Sequence, residues 1–449
     1  MTNNVFRSGS QQASERPGFF TPRRWVLLFF ALHLPAYGYP SARCEDPLAQ
    51  LSQSQTDWPW WRGPSRSGIA PGNQQPPRKW SEQQNVRWRV ALAGRGHGSP
   101  TVVGDRVYIT TADLQRDVQS VLCLDRDTGN RVWEAVVHEG GLKTNGNKKQ
   151  NKKASLASTT VACDGERLFV NFLNQEAVWT TALSRQGELM WQRKISPYVV
   201  HQGYGSSPAL YENLVIVSAD NKGGGMIMAL DRKTGQVVWQ RPRPEKPNYP
   251  SPVILNVAGR DQLVLTGCDL ATGLDPLTGE ELWEIEGATT ECVSSTVTDG
   301  KHIFTSGGYP KNHISAVAAD GSGKVVWENG ARNYVPSMLC HNGYLFATLD
   351  AGVATCFRCE DGNEQWKARL GGTFTSSPVL VGDLIYATNE EGETFIFSAN
   401  PTEFQQVAKN KLGTSVFATP VIVGGRIYTR VAQMEDGNRQ EYLYCIGEK

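Results

Sequence analysis

His97, Tyr204, Tyr249, Glu291, Asn333, Tyr334, Phe374 and Phe417 share a place in the chain: each lies a few residues upstream of a step of small residues. The steps are Ser99-Pro100, Ser207-Pro208, Ser251-Pro252, Ser294-Ser295, Pro336-Ser337, Ser377-Pro378 and Thr419-Pro420, with Thr159-Thr160 as a further copy. Aromatic faces joined by one imidazole, one carboxylate and one amide suit a binding pocket with few polar anchors, provided a fold gathers these loops around one concavity. The alternative is that several of them plug a channel. The hydroxyls of the steps themselves are expected to hydrogen-bond backbone rather than react.

Other chemistry is sparse. The chain has no G-x-S-x-G elbow, no H-E-x-x-H and no phosphate-binding loop. Lys143, Lys148, Lys149, Lys152 and Lys153 are interleaved with Asn145, Asn147 and Asn151, a polar insertion with local positive charge. Overall, Lys+Arg 45 against Asp+Glu 44 leaves a net charge of +1, so no global field favours nucleic acid or an anionic membrane.

The elements that must position these loops are legible as a repeat. Around one copy, Ser207-Pro208 is followed by the β-formers of 214–217, then Leu230-Asp231, Thr234-Gly235 and Trp239. The same order runs from Ser99-Pro100 to Trp133 and from Ser251-Pro252 to Trp283, with weaker copies ending at Trp191, Trp327 and Trp366. Successive starts at Pro100, Thr160, Pro208, Pro252, Ser295, Ser337, Pro378 and Pro420 are 60, 48, 44, 43, 42, 41 and 42 residues apart. Each unit holds four short runs of β-formers, the content of one propeller blade. The predicted fold is therefore all-β, an eight-bladed β-propeller over 85–449, with seven blades as the alternative. The last unit lacks a fourth strand, and 85–90 supplies one with no blade of its own. Joining them closes the ring and pairs both free edges. Asp and Thr suit the turn in Asp-x-x-Thr-Gly, Gly supplies positive φ, and the tryptophan packs between blades.

Nine cysteines raise the question of disulfides or metal. Aligning the repeats puts Cys123, Cys356 and Cys445 in a slot otherwise held by Ala182, Ala229, Gly273, Ala318 and Ile396, which makes them small buried hydrophobes. Cys356 and Cys359 form a C-x-x-C without a second one nearby. Cys163 and Cys340 fall in blades too far apart to bridge, and Cys268 with Cys292 is the best remaining pair. No metal site is expected.

Residues 1–44 read as an export segment: Arg7, Arg16, Arg23 and Arg24 precede an apolar run over 25–34 that Pro35 ends. Ten apolar residues are too few for a stable membrane anchor, and no later segment provides one. Arg23-Arg24 leaves the secretory and twin-arginine routes both open. Arg43 stands where a lipoprotein signal needs a small residue, which argues against lipidation of Cys44. Residues 45–84 form a tryptophan-rich segment before the propeller, with the expected location periplasmic or extracellular.

The Asp-x-x-Thr-Gly-x-x-x-Trp repeats, together with Trp58-Pro59-Trp60-Trp61-Arg62-Gly63-Pro64, resemble the PQQ-like propeller family over roughly 57–447. That family includes pyrroloquinoline quinone (PQQ) dehydrogenases and the lipoprotein propeller of the outer-membrane barrel-assembly machinery. The resemblance implies one of three functions: a non-catalytic scaffold that binds a protein, peptide or glycan; a PQQ-dependent alcohol or sugar dehydrogenase; or a barrel-assembly scaffold. For the enzyme it implies PQQ and calcium, with Glu291 as one calcium ligand. This chain lacks the adjacent-cysteine pair of many such dehydrogenases, and the remaining calcium ligands and the aspartate base find no counterpart. The scaffold without a cofactor is the reading preferred here.

Overall fold

In the computed structural model, which describes residues 47–143, 151 and 153–448, the chain forms eight four-stranded antiparallel sheets. Seven are consecutive meanders at 101–139, 162–197, 209–243, 253–286, 297–329, 339–369 and 379–411. The eighth takes three strands from 421–446 and its outermost from Val86–Leu92, with Trp88 opposite Cys445 and Val90 opposite Leu443. The ring is an eight-bladed propeller closed by the N-terminal strand. The export segment, Cys44, Lys148, Lys149 and Lys152 lie outside the described residues. Among those described, no helix is long and apolar enough to cross a membrane.

The repeat motif works as its chemistry suggests. In blade 1 the Asp125 carboxylate accepts hydrogen bonds from the backbone N–H of Asp127 and Thr128 and from the Thr128 hydroxyl, at 3.1, 2.9 and 2.9 Å. Gly129 adopts φ 74°, and a Cβ there would come within 2.7 Å of the Trp88 indole. Glycine is thus required twice over, by conformation and by the indole lying on it. The indole N–H then donates to a carbonyl of the next blade's turn: Trp88 to Arg126, Trp133 to Arg185 and Trp191 to Arg232, all at 3.0 Å. Trp239, Trp327 and Trp366 do the same to Pro276, Cys359 and Asn400.

Two seams depart from this pattern. Trp283 donates to Gln262 Oε1 of its own blade at 2.7 Å, and Gln262 Nε2 passes the link on to Ala319 O of blade 5 at 2.9 Å. The turned indole lies against Gly273, where a Cβ would meet it at 2.2 Å, which explains glycine in that slot. In blade 5 the residue opposite the tryptophan is Ala316, not Ala318: Ala316 pairs with Trp327, while Ala318 pairs with His302 at the turn end. The weak copy of the turn motif there shifts a sequence alignment by two residues. Blade 7 has Ala408 where other blades carry the indole. Trp80, from the segment before the propeller, supplies it instead. Its ring lies 6.5 Å from that of Tyr386 and nearly parallel to it, and the Trp80 backbone N–H donates to Asn410 Oδ1 at 2.9 Å.

Small-residue steps knit the inner ring. The backbone N–H of Ser99, Thr160 and Ser207 donates to the hydroxyl of Thr160, Ser207 and Ser251 in the following blade. Ser295, Ser337 and Ser377 continue the relay to Ser337, Ser377 and Thr419, each at 2.9 Å. Strand register makes Ser99, Thr160, Ser207, Ser251, Ser295, Ser337, Ser377 and Thr419 one equivalent position, so in blade 6 the hydroxyl is Ser337 in its ordinary place and Pro336 is the residue before it.

The tryptophan-rich segment is a cork. Trp58 exchanges two backbone bonds with Val102, Pro59 O accepts from Cys163 N, and Ala70 N donates to Leu380 O. Trp61 Nε1 donates to Ser295 Oγ at 2.8 Å, and Arg66 to Leu210 O at 2.6 Å. Arg62, 2% exposed, donates to the carbonyls of Met338, Ser67 and Pro378. Gly68 leaves room for that guanidinium, since a Cβ would stand 2.5 Å from it. Asp57 accepts from Gly104 N in the turn after the first inner strand. The segment therefore fills the channel from the end opposite the loops that start each blade.

Candidate functional site at the channel mouth

The loops that start the blades gather at the other end, and their eight singled-out residues divide into three groups. Tyr204, Asn333 and Phe374 are buried. Tyr204 donates to Ser218 O at 2.9 Å, Asn333 Nδ2 bonds Ser306 Oγ and Pro336 O, and Phe374 packs against Phe395.

Glu291, Tyr334 and Tyr249 come together with His201, which sequence reasoning passed over because it lies farther upstream of its step. Tyr334 donates to Glu291 Oε2 at 3.0 Å, and His201 Nε2 lies 3.1 Å from Oε1. The Glu291 side chain is 5% exposed, so its charge is held by these neighbours rather than by water. Burial, and next the Glu291 charge, raise the Tyr249 and Tyr334 hydroxyls well above the ordinary phenol range. Asp350 holds the Tyr334 loop by accepting from Tyr334 N and Val335 N at 2.7 and 3.3 Å. Its own carboxyl is pushed up by burial.

His97 and Phe417 form the third group, stacked 4.5 Å apart at 19°. Around them are Arg95, Arg430 and Arg439, with Glu441 bonded by Arg430 and Arg439. Burial first, then the three arginines, holds His97 well below its usual value, so it is a neutral aromatic plate at pH 7. Arg430 is where the repeat is broken: the equivalent second-strand positions are Thr110, Asn171, Ser218, Thr266, Ser306, Thr348 and Thr388. Comparing repeats at that position would have revealed it.

The connection between blades 1 and 2 reaches over this mouth. Asn151 Nδ2 bonds Gln202 Oε1 at 2.8 Å, and Lys153 Nζ pairs with Glu390 Oε2 of blade 7 at 2.7 Å. Glu390 also accepts from Thr375. A calcium ion held with a quinone needs six to eight oxygens converging on it. Here Glu291, Asp350 and Glu390 are each bonded to protein donors, and no three His, Cys, Asp or Glu side chains among the described residues gather as a metal site. The donor set does not fit that group.

Comparison with known proteins agrees with the architecture. An outer membrane protein assembly factor BamB from Burkholderia pseudomallei (strain K96243) is 26% identical over 367 residues, covering 78% of this chain and 84% of that protein. A Yersinia pestis protein of the same description is 22% identical over 62% of this chain and 79% of its own length. Among solved structures, BamB from Moraxella catarrhalis superposes with a TM-score of 0.57 at 14% identity, over 81% of this chain and 97% of that one. A europium-containing methanol dehydrogenase gives 0.64 at 12% identity, over 90% and 100%. At these identities the two structures share the fold with this chain. The family described as outer membrane protein assembly factor BamB matches residues 79–148, 115–368 and 310–429 in overlapping stretches, and the chain belongs to that family.

Proposed function

We propose that this chain is an exported, non-catalytic scaffold that binds a protein partner on the channel-mouth face, in the outer-membrane assembly role its family description names. The observation that carries this reading is the state of the mouth carboxylates. Glu291, Asp350 and Glu390 are turned into internal hydrogen bonds and ion pairs. What the mouth offers instead is the His97–Phe417 stack with Arg95 and Arg439 beside it, and aromatic and arginine side chains are the commonest anchors of protein interfaces. A second reading, a quinoprotein dehydrogenase, is favoured by the superposition on the full length of the methanol dehydrogenase.

A photo-crosslinking residue at Phe417, introduced in cells, tests the first reading. The expected product is an adduct with a component of the barrel-assembly machinery or a barrel precursor, lost on Arg439→Glu. Titration of residues 45–449 with PQQ and Ca²⁺ tests the second. Stoichiometric binding with dye reduction, abolished by Glu291→Ala, would overturn the scaffold reading.

A further inference from the structure

Cys340 and Cys359 are 19 residues apart in sequence, and their sulfurs lie 3.5 Å apart in blade 6. Cys340 sits in the innermost strand Leu339–His341, and Cys359 follows the third strand Val353–Arg358. The Cys359 N–H donates to Gly343 O at 2.9 Å, which draws its turn towards the first hairpin. Its carbonyl receives the Trp327 indole N–H at 2.8 Å, so the turn is anchored from blade 5 as well. Cys359 is 2% exposed, whereas Cys340 is half-buried and reachable from outside.

We propose that Cys340 and Cys359 form a dithiol–disulfide site, oxidised by a disulfide donor, that staples the inner strand of blade 6 to the turn on the blade 5–6 seam. Cys340, the accessible thiol, loses its proton and attacks the donor disulfide. This forms a mixed disulfide and releases one donor thiol. The Cys359 thiolate then attacks the Cys340 sulfur and expels the second donor thiol. Two cysteine thiols are oxidised by two electrons, and the donor disulfide is reduced to two thiols that take up the two protons.

The other described cysteines lack this arrangement. Cys268 directs its S–H toward Asp220 and Lys246 O, and Cys292 exchanges its own with Thr289. Cys123, Cys163, Cys356 and Cys445 are buried thiols raised by burial. The Cys359 thiol is raised too, by its contact with Cys340 and then by burial, so the close approach of two sulfurs and not acidity sets this pair apart.

The test uses purified, reduced residues 45–449 incubated with oxidised glutathione, followed by thiol counting under denaturing conditions and peptide mapping. The described chain holds eight free cysteines, and two should disappear into one crosslinked Cys340–Cys359 peptide pair. Cys359→Ser should stop at a glutathione adduct on Cys340. Cys340→Ser should give neither adduct nor crosslink, with its circular dichroism unchanged. Closure should also raise the unfolding midpoint by several degrees, reversed by dithiothreitol. Eight surviving thiols in the folded chain, or a crosslink joining Cys268 to Cys292, would overturn the proposal. Neither result bears on partner binding at the mouth.

Discussion

Trp80 stands in for a residue that its repeat lacks, so Trp80→Ala should open one particular seam. The side chain is 6% exposed, stacks on Tyr386 and belongs to the same buried cluster as Ile422, Ile427 and Ile446 of blade 8. Truncating a buried tryptophan costs about 3–5 kcal/mol. The stacking geometry contributes about 1 kcal/mol of this beyond the area effect. An unfolding entropy of about 2.1 cal/mol/K per residue over ~400 residues converts this into a midpoint lower by roughly 4–6 °C. Differential scanning calorimetry reads the shift, and hydrogen exchange reads its location, which should be blades 7 and 8. The double variant Trp80→Ala/Ala408→Trp, which puts the indole back at the repeat's own position, should recover part of the loss. A loss below about 1 kcal/mol in Trp80→Ala, or faster exchange centred on blades 3 and 4, would refute the reasoning.

Two further predictions follow from buried charge. Asp220 and Arg243 form a buried pair at 3.1 Å, with Asn248 also donating to Asp220 at 2.9 Å, so Asp220→Asn should destabilise by about 3–5 kcal/mol in urea titrations. His138 packs edge-on against Phe172 and Trp179, and burial lowers it from the ordinary 6.5 to about 4. A histidine kept neutral in the fold binds its proton more tightly when unfolded. Its stabilisation is therefore complete above pH 6.5 and is lost as pH falls toward 4. His138→Gln should flatten stability across that window, measured as the difference from the parent chain at each pH.

The blades, their number and the closure by 85–90 were legible because glycine, tryptophan and small residues recur at fixed spacing, each for a steric reason the structure bears out. The places where legibility failed share a cause. Trp80 lies outside every repeat, and nothing local marks it as the missing indole of blade 7. The Ala316 register was lost because Asp320-Gly321-Ser322-Gly323 distorts the turn motif. The cork could be recognised as a motif, but not placed, since its partners lie as many as 316 residues away. At the mouth, distance from the repeated step picked out Glu291 and Tyr334 but not His201, because a loop's reach depends on its path and not on its length.

The closing strand and the cork have a consequence for how the molecule is made. Residues 58–70 and 86–92 leave the ribosome before any blade, yet their partners run from Val102 to Ile446. Early in synthesis they have nothing to pair with, and the propeller cannot close until its final strand arrives. Contacts this distant in sequence make for slow folding with a long-lived open edge. A truncation near the C-terminus should therefore cost far more than the few residues removed: it strands the first strand, frees Trp88 from its seam and leaves the ring open.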